Sequence, residues 1–146
     1  MKQTQESQRT LSVQIVNAFV KDSQGGNPAG VVLDADAYSD AEKLQIAQKV
    51  NLSETAFVSR SKTEGVKLDF FTPTMRIAHC GHATIATFSY LASLGRFRDG
   101  ETSKETVDGP RKIILEDTMA YMEQTAPSYL EAVDWADYGV DLQEVL

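Results

Sequence analysis

Residues 82–94, HATIATFSYLASL, constrain the fold more than any other stretch of this chain. They contain no Asp, Glu, Lys or Arg. A surface helix shows a charged stripe, whereas a helix without a polar face is buried on all sides. Gly95 follows, where a left-handed residue can close the helix. The segment therefore predicts a central helix wrapped by sheet.

The rest of the chain supplies strands for such a sheet. SVQIVNAFV (12–20) is β-branched and aromatic, and is followed by the turn-rich Asp22–Pro28 and a short apolar strand at Gly30–Leu33. Ser39 and Glu42 form a capping-box pair, with Leu44, Ala47 and Val50 at helical spacing and Asn51 as a stop. TAFVS (55–59) and VKLDFF (66–71) read as strands, the second ended by Pro73. Thr102–Val107, Lys112–Leu115 and Met119–Gln124 read as a meander joined by Asp108-Gly109-Pro110 and Glu116-Asp117-Thr118 turns. The tail from Tyr129 to Leu146 is acidic with scattered apolar residues and suits a helix that packs on something.

A length of 146 residues fits one domain and can bury roughly two-thirds of its unfolded surface, with no disulfide needed. The net charge of −7 disfavours nucleic acid and an electrostatic membrane anchor. No run approaches the ~18 apolar residues of a membrane span. One cysteine suits a reducing compartment, and Met1–Thr10 is a polar tail without a signal-peptide core. A cytoplasmic protein with a disordered 1–10 tail is expected.

Both histidines and the one cysteine fall within His79-Cys80-Gly81-His82, just before the apolar helix. Free backbone N–H groups and the helix dipole favour anions there, so a thiol would have its pKa lowered and a carboxylate could dock on the amides. Gly81 lets backbone approach a ligand. The bland alternative is a buried cysteine beside two satisfied histidines. Adjacent His and Cys with a second His two residues on is not closed-zinc spacing, and no metal is expected. Glu54 sits at the mouth of an apolar strand, where a half-buried carboxylate can serve as general acid/base; a solvated turn acid is the alternative. Gly25–Gly30 lacks a following Lys-Ser/Thr and leads into a strand, which argues against a phosphate loop and for a turn near a ligand. Thr72 is a further polar contact beside core Phe70 and Phe71.

In order along the chain stand N-A-F (17–19), G-N-P-A-G-V-V (26–32), N-L-S-E-T-A-F-V (51–58), F-F-T-P-T (70–74) and C-G-H-A-T (80–84). This series resembles the PhzF-like isomerases of phenazine biosynthesis, over roughly 12–128, with M-E-Q-T-A-P (122–127) matching a further family stretch. The resemblance implies an α+β, diaminopimelate epimerase-like fold, a mixed or antiparallel barrel-like sheet around the central helix. It implies a cofactor-free enzyme that shifts a proton on a small carboxylate-bearing metabolite. Glu54 would be the general acid/base and His82 its assistant. Asn27, Ser53, Thr72, Cys80, Gly81, Ala83 and Thr84 would be the substrate contacts. Related epimerases carry a catalytic cysteine at the place of Cys80.

The family's second half carries a D-P-x-T-G-S-A-type motif with an aspartate in the site, and this sequence has none. The chain is therefore expected to be the N-terminal portion: a first domain at 11–107 and the incomplete start of a second at 108–146. Weak or no activity is expected from these residues alone, since a solvated cleft weakens the electrostatics. A competing reading is a non-catalytic interaction or dimerisation domain, including a homodimer, because a half-protein exposes the face its other domain would cover. A third, a cysteine-nucleophile hydrolase, needs a histidine and an orienting acid within reach of Cys80.

Overall fold

The computed structural model describes residues 10–129 and Gly139. The tail expected at 1–10 and the acidic stretch after Tyr129 lie, save Thr10 and Gly139, outside the described residues. Strand β1 (Gln14–Ala18) pairs antiparallel with β2 (Asn27–Val32). Helix α1 (Asp40–Val50) follows, then β3 (Thr55–Ser59), β4 (Val66–Phe71) and the two-residue β5 (Arg76–Ile77). Helix α2 (Gly81–Ser93) leads to β6 (Gly100–Glu105), β7 (Arg111–Glu116) and β8 (Met119–Met122).

One eight-stranded mixed sheet results, in the order β1-β2-β3-β4-β6-β7-β8, with β5 paired to β4. Two neighbouring pairs are parallel, β2 with β3 and β4 with β6. Parallel neighbours need a crossover connection, and the two helices supply one each. Helix α1 lies between β2 and β3 in the chain, and α2 between β4 and β6.

The helices take opposite faces of the sheet. Ala56, Val58, Leu68 and Phe70 join Ala83, Ala86, Phe88 and Leu91 of α2 in the main core. Phe57 and Phe71, at alternating positions, join Ala47 of α1 in a second cluster. Strand β3 is buried at every position, as expected of a strand covered on both faces.

The local signals explain the helix ends. Ser39 Oγ accepts from the Glu42 amide at 3.3 Å, Glu42 accepts from the Ser39 amide at 2.8 Å, and Asn51 ends α1 in the left-handed region. Gly95 does the same after α2, at φ 68°, with its amide donating to Ala92 O at 2.8 Å.

Helix α2 is less enclosed than its sequence implies. The terminal strands β1 and β8 both pack on it without pairing to each other. The sheet curls without closing, so Ile85, Ser89 and Ala92 stay only partly buried along the gap. A second difference concerns residue 108, the expected start of another unit. Strands β7 and β8 continue the same sheet from β6, and Ile113 and Leu115 belong to the α2 core. The break at Asp108-Gly109-Pro110 is a hairpin turn within one sheet.

An ion network that is buried at Lys43 and Asp69 and exposed at Asp40 ties α1 to β4 and β5. Lys43 Nζ lies 2.6 Å from Asp69 Oδ2, Arg76 bonds the other Asp69 oxygen, and Arg76 also reaches Asp40 at 3.0 Å. Burial opposes ionisation of Asp69, but the hydrogen bond and charge of Lys43, with Arg76, outweigh it and hold the carboxyl below its ordinary value.

Candidate active site

Glu54 occupies the last position before β3, and its carbonyl accepts from the Gly30 amide of β2 at 3.1 Å. That approach needs glycine at position 30. A Cβ there would stand 2.9 Å from Thr55 Oγ1 and 3.2 Å from Val50 Cγ1. The last glycine of G-N-P-A-G thus lets β2 lie close enough to β3 to seat Glu54.

The N-terminus of α2 faces the same place. Cys80 is the N-cap residue and makes no side-chain cap hydrogen bond. His82 Nε2 stands 3.4 Å from Glu54 Oε2, and its Nδ1 stands 3.4 Å from Cys80 Sγ. The imidazole is therefore flanked by a carboxylate on one side and a thiol on the other. The Glu54 and His82 side chains are 20% and 12% exposed, so the pair sits at a rim, neither sealed nor solvated. His82 Nε2 is itself buried and its alignment to Glu54 makes no formed hydrogen bond. Such loose geometry is common before a substrate is bound.

The Cys80 thiol runs against expectation. Burial, aided by the Glu54 charge, pushes its pKa above the ordinary value, although the amides of Ala83 and His82 pull it down. Desolvation penalises the thiolate more than the helix start favours it. A buried protonated thiol is a packing and hydrogen-bonding group more than a nucleophile.

Among the described residues, Glu54, Cys80 and His82 each offer a donor atom within 4.8 Å of the other two, a spacing compatible with a shared cation. The sequence showed two of these donors together; the third comes from another element.

The remaining expected contacts divide. Gly81 has open space above it, the nearest atom to an added Cβ being Met122 Cε at 3.9 Å. Ser53 is exposed beside Glu54, and Asn27 is exposed at the start of β2. Thr72 spends its hydroxyl inside its own turn, on Thr74 and Met75. Ala83 and Thr84 are fully buried, and the Thr84 amide already donates to Cys80 O at 3.2 Å. They seat the helix and do not face open space.

One functional candidate escaped the sequence reading. Lys104 of β6 is fully buried and donates to Thr84 Oγ1 at 2.9 Å, directly behind the site. The sequence puts Thr102, Lys104 and Thr106 on one face by alternation, but only the pairing of Thr102 with Ile113 shows that face to be the core one. Burial, with the nearby Arg111 charge, lowers the Lys104 pKa from 10.5 to about 8.

Comparison with known proteins agrees with this architecture. The chain is 38% identical over 117 residues to the uncharacterized isomerase YfhB of Bacillus subtilis, covering 77% of this chain and 40% of that protein. The crystal structure of a PhzF-family phenazine biosynthesis protein from Bacillus anthracis superposes with TM-score 0.70 at 33% identity, over 77% of this chain and 39% of that one. A hydroxyproline epimerase from Agrobacterium vitis shares the fold at TM-score 0.53 and 12% identity, over 73% of this chain and 38% of that one. The fold is thus the α+β, diaminopimelate epimerase-like one. The match covers between 26% and 40% of the length of the curated relatives. The family described as "Phenazine biosynthesis-like protein" (PhzC-PhzF) matches residues 16–128, nearly all of the curled sheet and both helices, and the chain belongs to that family.

Proposed function

We propose that this chain carries the Glu54–His82 half-site of a PhzF-like isomerase. The enzyme moves a proton at carbon on a small carboxylate-bearing metabolite, without a cofactor. Glu54 is the general acid/base, because a carboxylate at a rim can take a carbon-bound proton and return it elsewhere on the same molecule. His82 holds the carboxylate in place and offers its own proton. The amides of Gly81 and His82, with no side-chain cap, suit the substrate carboxylate. The observation that carries this reading is the 3.4 Å approach of Glu54 to His82, which stand 28 positions apart in the chain. Exposure at the rim is expected to keep turnover low for this chain alone.

The test is exchange of carbon-bound hydrogen for deuterium in heavy water, followed by NMR over a panel of small carboxylates. Exchange that is lost in Glu54→Gln and survives in Cys80→Ala supports the reading. Exchange that persists undiminished in Glu54→Gln overturns it.

A second reading, docking of another chain, has its own observation. Phe19, Val20, Met119 and Tyr121 are exposed around a groove of about 430 Å³ between β1 and β8, floored by Ile85 and Ser89. Exposed apolar patches of this kind drive association. Light scattering on the purified chain decides it: a monomer at all concentrations removes a homodimer.

A further inference from the structure

Lysine is almost never fully buried without a charged partner. Among the described residues Lys104 forms no ion pair, yet it is 0% exposed. Its ammonium donates to Thr84 Oγ1 at 2.9 Å and meets His79 Nδ1 at 3.3 Å, with the Phe70 ring centroid 5.1 Å away. The directions of these bonds are forced. An ammonium only donates, so His79 Nδ1 must present its lone pair and carry its proton on Nε2. Thr84 Oγ1, accepting from Lys104, turns its own proton to the Cys80 carbonyl at 2.7 Å. The residue before Cys80 and the carbonyl of Cys80 itself are thus tied to one buried cation.

We propose that Lys104 is a positioning residue of the site. Through His79 on one side and Thr84 on the other, it holds the turn that mounts Cys80 and His82 against Glu54. A buried charge is an expensive way to fill space, and an apolar residue of equal length would pack here at lower cost. What the charge adds is direction: it sets one tautomer of His79 and one rotor of Thr84. Burial and the Lys104 charge together also keep His79 neutral, below its ordinary pKa, against the pull of Asp108 and with the push of Arg111. This inference rests on the reading of Glu54 and His82 as the reacting pair.

The chain has two histidines, so the imidazole nitrogens can be read directly by long-range proton–nitrogen NMR on the intact ¹⁵N-labelled protein near neutral pH. The expected spectrum shows His79 with its proton on Nε2. Lys104→Met should erase that preference and also shift the ring nitrogens of His82. Thr84→Val should shift His82 while leaving the His79 tautomer in place. Circular dichroism checks that each variant is folded. A wild-type His79 protonated on Nδ1 overturns the proposal, whether or not Lys104→Met folds. So do His82 signals that stay put in folded Thr84→Val. These spectra are read without substrate, so a failure of the exchange experiment leaves their outcome independent.

Discussion

Glu54 Oε2 and His82 Nε2 face each other at 3.4 Å, although one precedes a central strand and the other opens the buried helix. The close β2–β3 approach at Gly30 and the packing of α2 on β3 bring them together. If Glu54 is the proton-transfer group, Glu54→Gln should lower exchange by about 100- to 10,000-fold, the usual worth of a positioned acid/base. His82→Asn should act in the same direction. Both variants should keep the wild-type urea midpoint closely, since each removes a rim contact and leaves the core intact.

Cys80 should be slow to alkylate. Its thiol is buried and its pKa raised, so little thiolate exists near neutral pH. Iodoacetamide labelling of the folded protein should lag well behind the urea-unfolded chain. Glu54→Gln should speed it, because the Glu54 charge is one of the causes that raise the thiol. Labelling as fast as in the unfolded chain would contradict the burial argument.

Lys43 should matter more than its surface-type chemistry suggests. Lys43→Met leaves Asp69 buried with only Arg76, and the expected loss is about 3 kcal/mol. Replacing the pair together, Lys43→Met with Asp69→Leu, should recover most of it. Urea denaturation measures both.

Asp69 should also shape the acid limb. Its folded pKa lies below the unfolded 3.8, so its contribution is complete above about pH 4 and vanishes as pH falls through the folded value. Asp69→Asn should flatten the loss of stability in that acid range, seen in urea midpoints measured across pH.

Lys104 predicts the opposite limb. Its folded pKa of about 8 lies below the unfolded 10.5. Between those values the unfolded chain binds the extra proton, so stability rises with pH. The shift corresponds to about 3 kcal/mol. Cys80 pulls the other way above pH 9, so the readout is the difference between wild type and Lys104→Met. That difference should narrow as pH climbs from 8 towards 10.5.

Local chemistry was legible in the chain because it depends on neighbours a few residues apart. The Ser39–Glu42 cap, the Asn51 stop, the Gly95 close and strands β3 and β4 follow from spacing and turn residues alone. So do the uncharged α2 and the cluster at 79–82, and the motif series carries the family. What required the tertiary structure is everything set by which segments meet. The sequence could not show that β1 and β8 leave α2 open, since sheet closure depends on the curl of all eight strands. It could not show that β7 and β8 extend one sheet past residue 108, because a hairpin turn and a boundary look alike in sequence. Nor could it give the sign of the Cys80 shift. The helix start acts locally and lowers the pKa, whereas burial comes from residues remote in the chain and here outweighs it. Lys104 is the clearest case: a lysine in a polar strand reads as solvated, and only the face shared with Ile113 beneath α2 makes it a buried cation behind the site.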